Sequence, residues 1–170
     1  MAQYRVYKPK KDFKGAATKW ESNIKEVKKN GKSFKEVQMF LAGANQTGED
    51  KNGNASFDWK SKEKKGNEVT MKLGDPDVGE ILALLNRRKN KLGNSKSMGL
   101  FHQNLNGNTS LQIEFKPADD KTVMDSYYTL RLASKDKAGK VTVVQHTITL
   151  AEAEIIKNLL EGGIRRKYAT

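Results

Sequence analysis

Cysteine is absent from the 170 residues, and the sequence contains three prolines and 8% aromatic residues. Without cysteine, the chain can form no disulfide scaffold, zinc ribbon or thiol nucleophile. Long apolar runs are also absent, since no stretch approaches the ~20 residues that a membrane-spanning helix needs. The first seven residues, Met-Ala-Gln-Tyr-Arg-Val-Tyr, lack the apolar core of a signal peptide. We therefore expect a protein of the cytoplasm or another intracellular compartment, neither secreted nor bound to a membrane.

Positive charge is the largest compositional bias. Lysine and arginine number 32 against 20 acids, which gives a formal net charge of +12. Residues 1–40 hold ten lysines and one arginine against four acids, so this quarter of the chain contributes +7. Such a surplus favours a polyanionic partner, which is DNA, RNA or an anionic membrane surface. The alternative is a structural or partner-binding protein whose basic face is incidental.

Several segments alternate apolar and polar residues with a period of two, as half-buried strands do. Four of them are centred on Met39, Met71, Ile113 and Leu130. Each pattern predicts a strand with one face on a core and the other on solvent or a ligand. In residues 141–150 the apolar phase slips between Val143 and Val144, which predicts a β-bulge.

Two segments switch to helical spacing. In the first, apolar residues recur at i, i+3, i+4 and i+7 from Val78, after Asp75 as the expected N-cap. In the second, Thr149 and Glu152 have the spacing of a capping box, and the glycine pair at 162–163 is expected to end the helix.

These two segments indicate an internal repeat. Thr-Met-Lys-Leu at 70–73 leads into the first helix, and Thr-Ile-Thr-Leu at 147–150 leads into the second. Basic triplets at 87–89 and 165–167 follow the two helices. The common order predicts two copies of a unit of several strands and one helix, about 1–92 and 93–170, within a single domain of residues 1–170.

The sequence shows no convergent set of reactive side chains. The two histidines, His102 and His146, are far apart and lack a partner at metal-ligand spacing, and His146 falls on the apolar phase of its strand. The paired acids at 75/77 and 119/120 suit a helix cap and a turn. Phosphate-loop, nucleophile-elbow and zinc motifs are absent. We expect no enzyme, metal or cofactor, with a metal-dependent nuclease built from scattered acids as the alternative.

Cations and aromatic residues are placed together at several points, as binding of a flexible nucleic-acid strand requires. Phe57 and Trp59 share one strand face beside lysines, whereas Tyr127 and Arg131 lie on the polar face of another strand. The alternative for Phe57 and Trp59 is packing in the core. The candidate nucleic-acid-binding residues are Lys14, Lys19, Trp20, Lys35, Phe57, Trp59, Lys60, Lys62, Phe101, Tyr127 and Arg131.

The order of motifs resembles the Whirly family of single-stranded-DNA-binding proteins and, more distantly, coactivator-type single-strand binders. Tyr-Arg-Val-Tyr-Lys at 4–8 and Lys-Gly-Ala-Ala at 14–17 are similar to that family's first strand and its Lys-Gly-Lys-Ala-Ala motif. Phe-Asp-Trp-Lys-Ser-Lys at 57–62 is similar to its Tyr-Asp-Trp segment with the basic residues that follow. The helix from Val78, the strand at 100–103 and the closing helix then come in the family's order.

The resemblance implies an α+β fold of two four-stranded antiparallel sheets, each followed by a helix, with the sheets packed face to edge. It implies a homotetramer held together by the helices, and single-stranded DNA that runs along the sheets and between subunits. Relatives of this kind act in DNA replication, recombination, repair and transcription. The compact size and the lack of an organelle leader suit a bacterial or phage protein.

The leading hypothesis is therefore a sequence-tolerant single-stranded-DNA-binding protein without catalytic activity. Binding or annealing of single-stranded RNA is the alternative within nucleic acids, because no residue of the sequence reports on the 2′-hydroxyl group.

Overall fold

The computed structural model describes residues 1–60, 66–93, 98–119, 121 and 125–169. Within these residues the chain forms nine strands and two helices. The first unit consists of β1 (Ala2–Lys8), β2 (Ala16–Lys29), β3 (Lys32–Glu49), β4 (Ala55–Phe57), β5 (Val69–Leu73) and α1 (Asp75–Leu85). The second unit consists of β6 (Leu100–Asn104), β7 (Gly107–Lys116), β8 (Tyr127–Asp136), β9 (Val141–Thr149) and α2 (Leu150–Tyr168).

Both sheets are antiparallel. Sheet 1 has the strand order β1-β2-β3-β5, and the three-residue β4 pairs with the far end of β3. Sheet 2 has the order β6-β7-β8-β9. A helix follows the last strand of each sheet directly, which confirms the predicted α+β fold of two four-stranded sheets with one helix after each.

The inner faces of the two sheets meet in one core. Met39, Leu41, Leu111, Leu130 and Leu132 are at most 2% exposed, as the alternating patterns predicted. The edge strand β9 packs across β1, β2 and β3 of sheet 1. A side chain at Gly43 of β3 would lie 2.9 Å from Val144 of β9. The backbones of the two sheets therefore approach closely at this glycine.

The predicted β-bulge in β9 is wrong. The register between β8 and β9 runs without interruption, with Val143 opposite Ala133 and Val144 opposite Leu132. Val144 is buried, whereas Val143 lies half-buried on the other face, and its carbonyl oxygen accepts a 2.8 Å hydrogen bond from Asn45 Nδ2. The two consecutive valines therefore lie on opposite faces of a regular strand.

The N-cap of α1 is Gly74 and not Asp75, which occupies the first turn. Asp77 completes the cap, because its Oδ2 accepts a 2.7 Å hydrogen bond from the Gly74 amide. The expected position was one residue off because the Asp77 side chain satisfies the terminal amide in place of an N-cap side chain.

The capping box of α2 is confirmed. The Glu152 amide donates to Thr149 Oγ1 at 3.2 Å, and the Thr149 amide donates to Glu152 Oε2 at 2.8 Å. The expected end of the helix at the glycine pair is wrong, since α2 continues to Tyr168. A side chain at Gly163 would lie 2.6 Å from Met39 Sδ and 3.0 Å from Ser22 Oγ, so this glycine lets the helix approach sheet 1.

Candidate nucleic-acid interface

The outer face of sheet 1 carries a compact group of rings and cations, which we call the sheet-1 cluster: Arg5, Tyr7, Lys19, Phe57 and Trp59. Arg5 lies opposite Lys19 in the β1–β2 register, so the two side chains share the outer face. The guanidinium carbon of Arg5 is 5.9 Å and Lys19 Nζ is 5.7 Å from the centre of the Trp59 ring. The rings of Tyr7 and Phe57 are 5.5 Å apart and tilted by 50°.

Small residues make room for this cluster on the sheet. Ala17 lies opposite Tyr7 on one side and Ala44 on the other, and Lys19 lies opposite Ala42. These alanines therefore belong to the outer face, and yet all three are at most 2% exposed. Their burial on the face that points away from the core shows that larger side chains of the first unit cover them. Phe57 and Trp59 are half-buried for the same reason.

The cations of the cluster are positioned by neighbours. Arg5 Nη1 donates a 3.0 Å hydrogen bond to the Tyr7 hydroxyl, and Lys19 Nζ lies 3.5 Å from Glu21 Oε1. A cation at such a distance from an indole ring contributes about 0.5–1 kcal/mol at an exposed site. Positive charge and aromatic surface thus occur side by side, as phosphate contact and base stacking require.

Hydrogen bonds hold the segment that carries Trp59. Asp58 Oδ2 accepts from the Asn67 amide at 3.1 Å and from Asn67 Nδ2 at 2.7 Å. Asn67 Oδ1 in turn accepts a 2.8 Å bond from Lys140 Nζ in the turn between β8 and β9. A side chain at Gly66 would lie 2.6 Å from the Trp59 carbonyl oxygen, so the backbone packs closely there. The second unit therefore helps to fix the Trp59 segment of the first.

The outer face of sheet 2 is polar and open. Phe101 lies opposite Ser110 at the edge of this face and is 61% exposed. Arg131 lies between Gln112 and Gln145 in the register, and Tyr127 lies opposite Lys116. The structure thus brings three of the predicted residues, Phe101, Tyr127 and Arg131, to one sheet face.

A basic groove of about 390 Å³ lies where the loop between β1 and β2 meets β8 and β9. Lys8, Lys10 and Lys14 line it from the loop side. The Gln46 side chain fixes this loop, because its Oε1 accepts from the Lys10 amide at 2.8 Å and from the Gly15 amide at 3.2 Å. Lys8 is paired with a carboxylate of α2, which leaves Lys10 and Lys14 as the cations that a ligand can reach.

His146 connects the two sheets beneath this groove. Its Nε2 lies 2.9 Å from Thr18 Oγ1, and its Nδ1 lies 2.8 Å from the Thr147 carbonyl oxygen. Burial lowers the pKa of His146 below its ordinary value of 6.5. The ring is therefore a core group with hydrogen-bond partners, as its position on the apolar phase of β9 predicted.

Trp20 does not reach the surface. It is 1% exposed and packs in the core, since it alternates with Lys19 along β2 and faces inward. The prediction that Trp20 contacts nucleic acid is therefore wrong for this structure. Phe57 and Trp59, for which packing in the core was the alternative, do not belong to the cluster of buried core residues.

Three of the lysines predicted to bind nucleic acid differ in their positions. Lys60 is exposed next to Trp59, and its amide donates to Glu68 Oε2 at 3.3 Å. Lys35 pairs with Glu26 in the β2–β3 register, which places it on the face opposite to that of Lys19. Lys62 lies outside the described residues.

Arg5 and Tyr7 were missing from the predicted site. The signal was present in the sequence, because Val6 between them is apolar and a strand then turns its two neighbours to the other face. The register with β2, which places them beside Lys19 and Ala17, could not be obtained from β1 alone.

The described residues contain no group of three or more His, Asp or Glu side chains that could hold a metal ion. His102 Nε2 lies 3.0 Å from Asp77 Oδ2, and this contact joins β6 to α1. Of the helices in the described part of the chain, none has the length and apolarity to cross a membrane.

Comparisons with known proteins agree with the architecture. Neither protein-family models nor curated proteins give a match to this sequence. Among solved structures, the chain is similar to WHY1 from Arabidopsis thaliana with a TM-score of 0.63 and 18% identity, over 98% of this chain and 84% of that chain. The chain has a Whirly-like fold. The chain is also similar to MRP1/MRP2 from Trypanosoma brucei, with a TM-score of 0.58 and 14% identity, over 96% of this chain and 84% of that chain.

Proposed function

We propose that the chain binds single-stranded DNA without sequence preference, along the outer faces of its two sheets. The sheet-1 cluster carries this proposal. It places the half-buried Trp59 ring within reach of two cations on the outer face of sheet 1. Base stacking on an aromatic side chain tolerates any sequence, and each stacked base is worth roughly 1–3 kcal/mol.

Sheet 2 supports the same function with separate elements. Tyr127 and Phe101 offer rings for stacking, and Arg131 offers a guanidinium group among neutral neighbours of its row. Lys10 and Lys14 border the groove that begins at Thr129 and Thr147 of this same face. A strand on sheet 2 can therefore pass towards sheet 1 along positive charge.

The overall charge favours the proposal. A net charge of +12 attracts a polyanion, and each phosphate that a lysine or arginine neutralises releases a counterion. The Whirly-like fold supports single-stranded DNA as the polyanion through the family resemblance of the sequence motifs. A role in DNA replication, recombination, repair or transcription follows from that resemblance and forms part of the proposal.

A homotetramer is also part of the proposal. Leu150 and Ile155 of α2 are 47% and 46% exposed, which is apolar surface on the helix that the resemblance assigns to subunit contacts. Sedimentation or light scattering in solution tests this, and a monomeric mass would remove the tetramer from the proposal.

The deciding experiment is competition among matched single-stranded DNA, single-stranded RNA and duplex DNA at several salt concentrations. We expect single-stranded DNA to bind with the lowest Kd and a steep salt dependence. Trp59→Ala should weaken binding, whereas Leu105→Ala, which alters an 85% exposed residue in the turn after β6, should not. Preference for the duplex would overturn the proposal, and preference for RNA would replace DNA by the alternative.

The absence of catalysis needs its own test. Labelled single-stranded and duplex DNA incubated with the protein and Mg²⁺ should stay intact. Cleavage that EDTA stops and that is lost on replacing an acidic side chain would establish the nuclease alternative.

A further inference from the structure

The hairpin formed by β2 and β3 extends well beyond sheet 1. The last rung with β1 is Ala2 opposite Ser22, and the last rung with β5 is Leu73 opposite Met39. Residues 23–38 pair only with each other, and we call them the arm. At about 3.3 Å per residue, the eight residues from 23 to 30 carry the arm roughly 25 Å away from the sheet.

One face of the arm continues the outer face of sheet 1. Successive side chains of a strand alternate between faces, so Lys25, Val27 and Lys29 follow Lys19 on the same side of β2. The register places Phe34 opposite Val27 and Lys32 opposite Lys29. The arm therefore presents one ring between lysines on the face that carries the sheet-1 cluster, with Glu36 opposite Lys25 at its base.

The ring and the lysines of this face are free to meet a ligand. Phe34 is 52% exposed, and Lys25, Lys29 and Lys32 are all exposed. No carboxylate of the described residues forms an ion pair with any of the three lysines. The arm as a whole holds five lysines and two glutamates, which gives a net charge of +3.

The shape of the arm is set by its turn. Asn30 and Gly31 both have positive φ, at 52° and 74°, as a two-residue hairpin turn requires. A hairpin without a third strand or a covering helix is marginally stable in water. The base of the arm is supported, because Val37 is only 8% exposed, whereas its end around the 52% exposed Phe34 is weakly supported, and a ligand that covers Phe34 would stabilise it.

We propose that the arm extends the nucleic-acid path, with Phe34 stacking on a base and Lys25, Lys29 and Lys32 contacting phosphates. This inference rests on the proposed function and adds a site to it. Charge decides the occupant, because a second copy of the chain would bring another arm of the same sign against this one. A single strand brings the opposite charge and the bases that the ring needs.

The test uses the full chain and oligothymidylates of increasing length, with Kd measured by fluorescence anisotropy. On short oligonucleotides that cover only the sheet, Phe34→Ala should bind as the unaltered protein does. Once the strand is long enough to reach the arm, Phe34→Ala should raise the Kd about five- to tenfold, the lower part of the range for a lost stack. Phe34→Trp keeps an aromatic face and should retain the affinity.

Two double variants separate local contact from general charge. Lys25→Ala with Lys29→Ala alters the face of Phe34, and Lys28→Ala with Lys35→Ala removes the same charge from the opposite face. The first pair should reduce the slope of log Kd against log salt concentration by about 1.4, at ~0.7 for each single-strand phosphate contact. The second pair should change the slope by much less.

The outcomes distinguish this inference from the function on which it rests. If the unaltered protein binds no single strand, both are overturned. If Trp59→Ala weakens binding and Phe34→Ala has no effect at any length, only the arm is excluded. If the two double lysine variants reduce the salt slope equally, the attraction is a general effect of charge, and the proposed site on the arm is also excluded. A change of solution mass in Phe34→Ala would show that the arm joins copies of the chain.

Discussion

The outer faces of the two sheets differ in how they hold their rings. On sheet 1, the half-buried Trp59 and Phe57 share the outer face with buried alanines, and two cations lie close to the Trp59 ring. On sheet 2, Phe101 lies opposite Ser110 and Tyr127 lies opposite Lys116. Ser110 and Lys116 are six residues apart along β7, so the two rings lie in rows about 20 Å apart. No cation of the described residues lies over the Phe101 ring.

The difference arises from the connections. In the first unit, Trp59 follows β4 after one residue, and its ring lies near Arg5 and Lys19 on the outer face of its own sheet. In the second unit, Thr149 ends β9 and caps α2 at once, so that no residue separates the last strand from the helix. Sheet 1 thus has a preorganised site that loses little side-chain entropy on binding, whereas sheet 2 is an open platform.

The largest expected effect separates core from surface within sheet 1. Trp20→Ala should lower the free energy of unfolding by about 3–5 kcal/mol, because it empties the volume of a buried indole. Trp59→Ala should cost about 1–2 kcal/mol, since its ring lies outside the core and loses chiefly its contacts with two cations. Urea unfolding followed by circular dichroism measures both. Equal losses would mean that the outer face of sheet 1 is part of the core, and Trp20→Phe serves if Trp20→Ala does not fold.

The next effect compares the rings of the two faces. Trp59→Ala should weaken single-strand binding at least tenfold, within the ~1–3 kcal/mol of a stacked base. Phe101→Ala should cost about 1 kcal/mol, at the low end of that range, because Phe101 has no cation beside it. Titration of both variants against one oligonucleotide gives the ratio. A larger loss for Phe101 would reverse the assignment of the preorganised site.

A smaller effect concerns the charges of sheet 2. Arg131→Gln should reduce the salt slope by ~0.7, which corresponds to one phosphate of a single strand. Tyr127→Ala should weaken binding and leave the slope unchanged, because stacking releases no counterion. Affinities at four or more salt concentrations show the slopes. If Arg131→Gln leaves the slope as it was, Arg131 is a structural member of the polar face.

The smallest effect lies at the junction of the sheets. Burial lowers the pKa of His146 below 6.5. Near pH 6.5 the His146 ring is therefore protonated to a greater extent in the unfolded chain than in the folded chain. Stability should therefore fall as the pH drops below about 7 and towards the pKa of the folded state. In His146→Gln this part of the pH dependence should vanish. An unchanged profile in the variant would assign the loss to other groups.

Much of the architecture could be predicted because the core-facing strands alternate apolar and polar residues. The patterns around Met39, Met71, Ile113 and Leu130 identified four inward faces, and the Thr149 box located the start of α2. The faces of Trp20 and Trp59 could not be separated in this way. Both are tryptophans beside lysines, and only the register of β2 and the path after β4 decide which one is covered.

Other errors have the same origin in contacts between elements. Val143 looked like a break in phase, but it contacts the end of β3 through the hydrogen bond from Asn45. Lys19 and Lys35 were both candidate nucleic-acid-binding residues, but the register places the two on opposite faces. Arg5 and Tyr7 became site residues only when β2 was placed beside them. The pattern within one strand predicts which side chains share a face, whereas prediction of a site also requires knowing which strands are neighbours.

Gly163 has a practical consequence for anyone who shortens the chain. A cut at the glycine pair, where the sequence suggests that the helix ends, would remove the last turn and a half of α2. Arg166 Nη2 donates a 2.9 Å hydrogen bond to Ser22 Oγ, and Lys167 forms a 2.6 Å ion pair with Asp75, which also accepts from the Tyr168 hydroxyl. A fragment that stops at 162 would therefore lose the contacts of Lys167 and Tyr168 with Asp75, which join α2 to α1. A suitable C-terminal boundary lies after Tyr168.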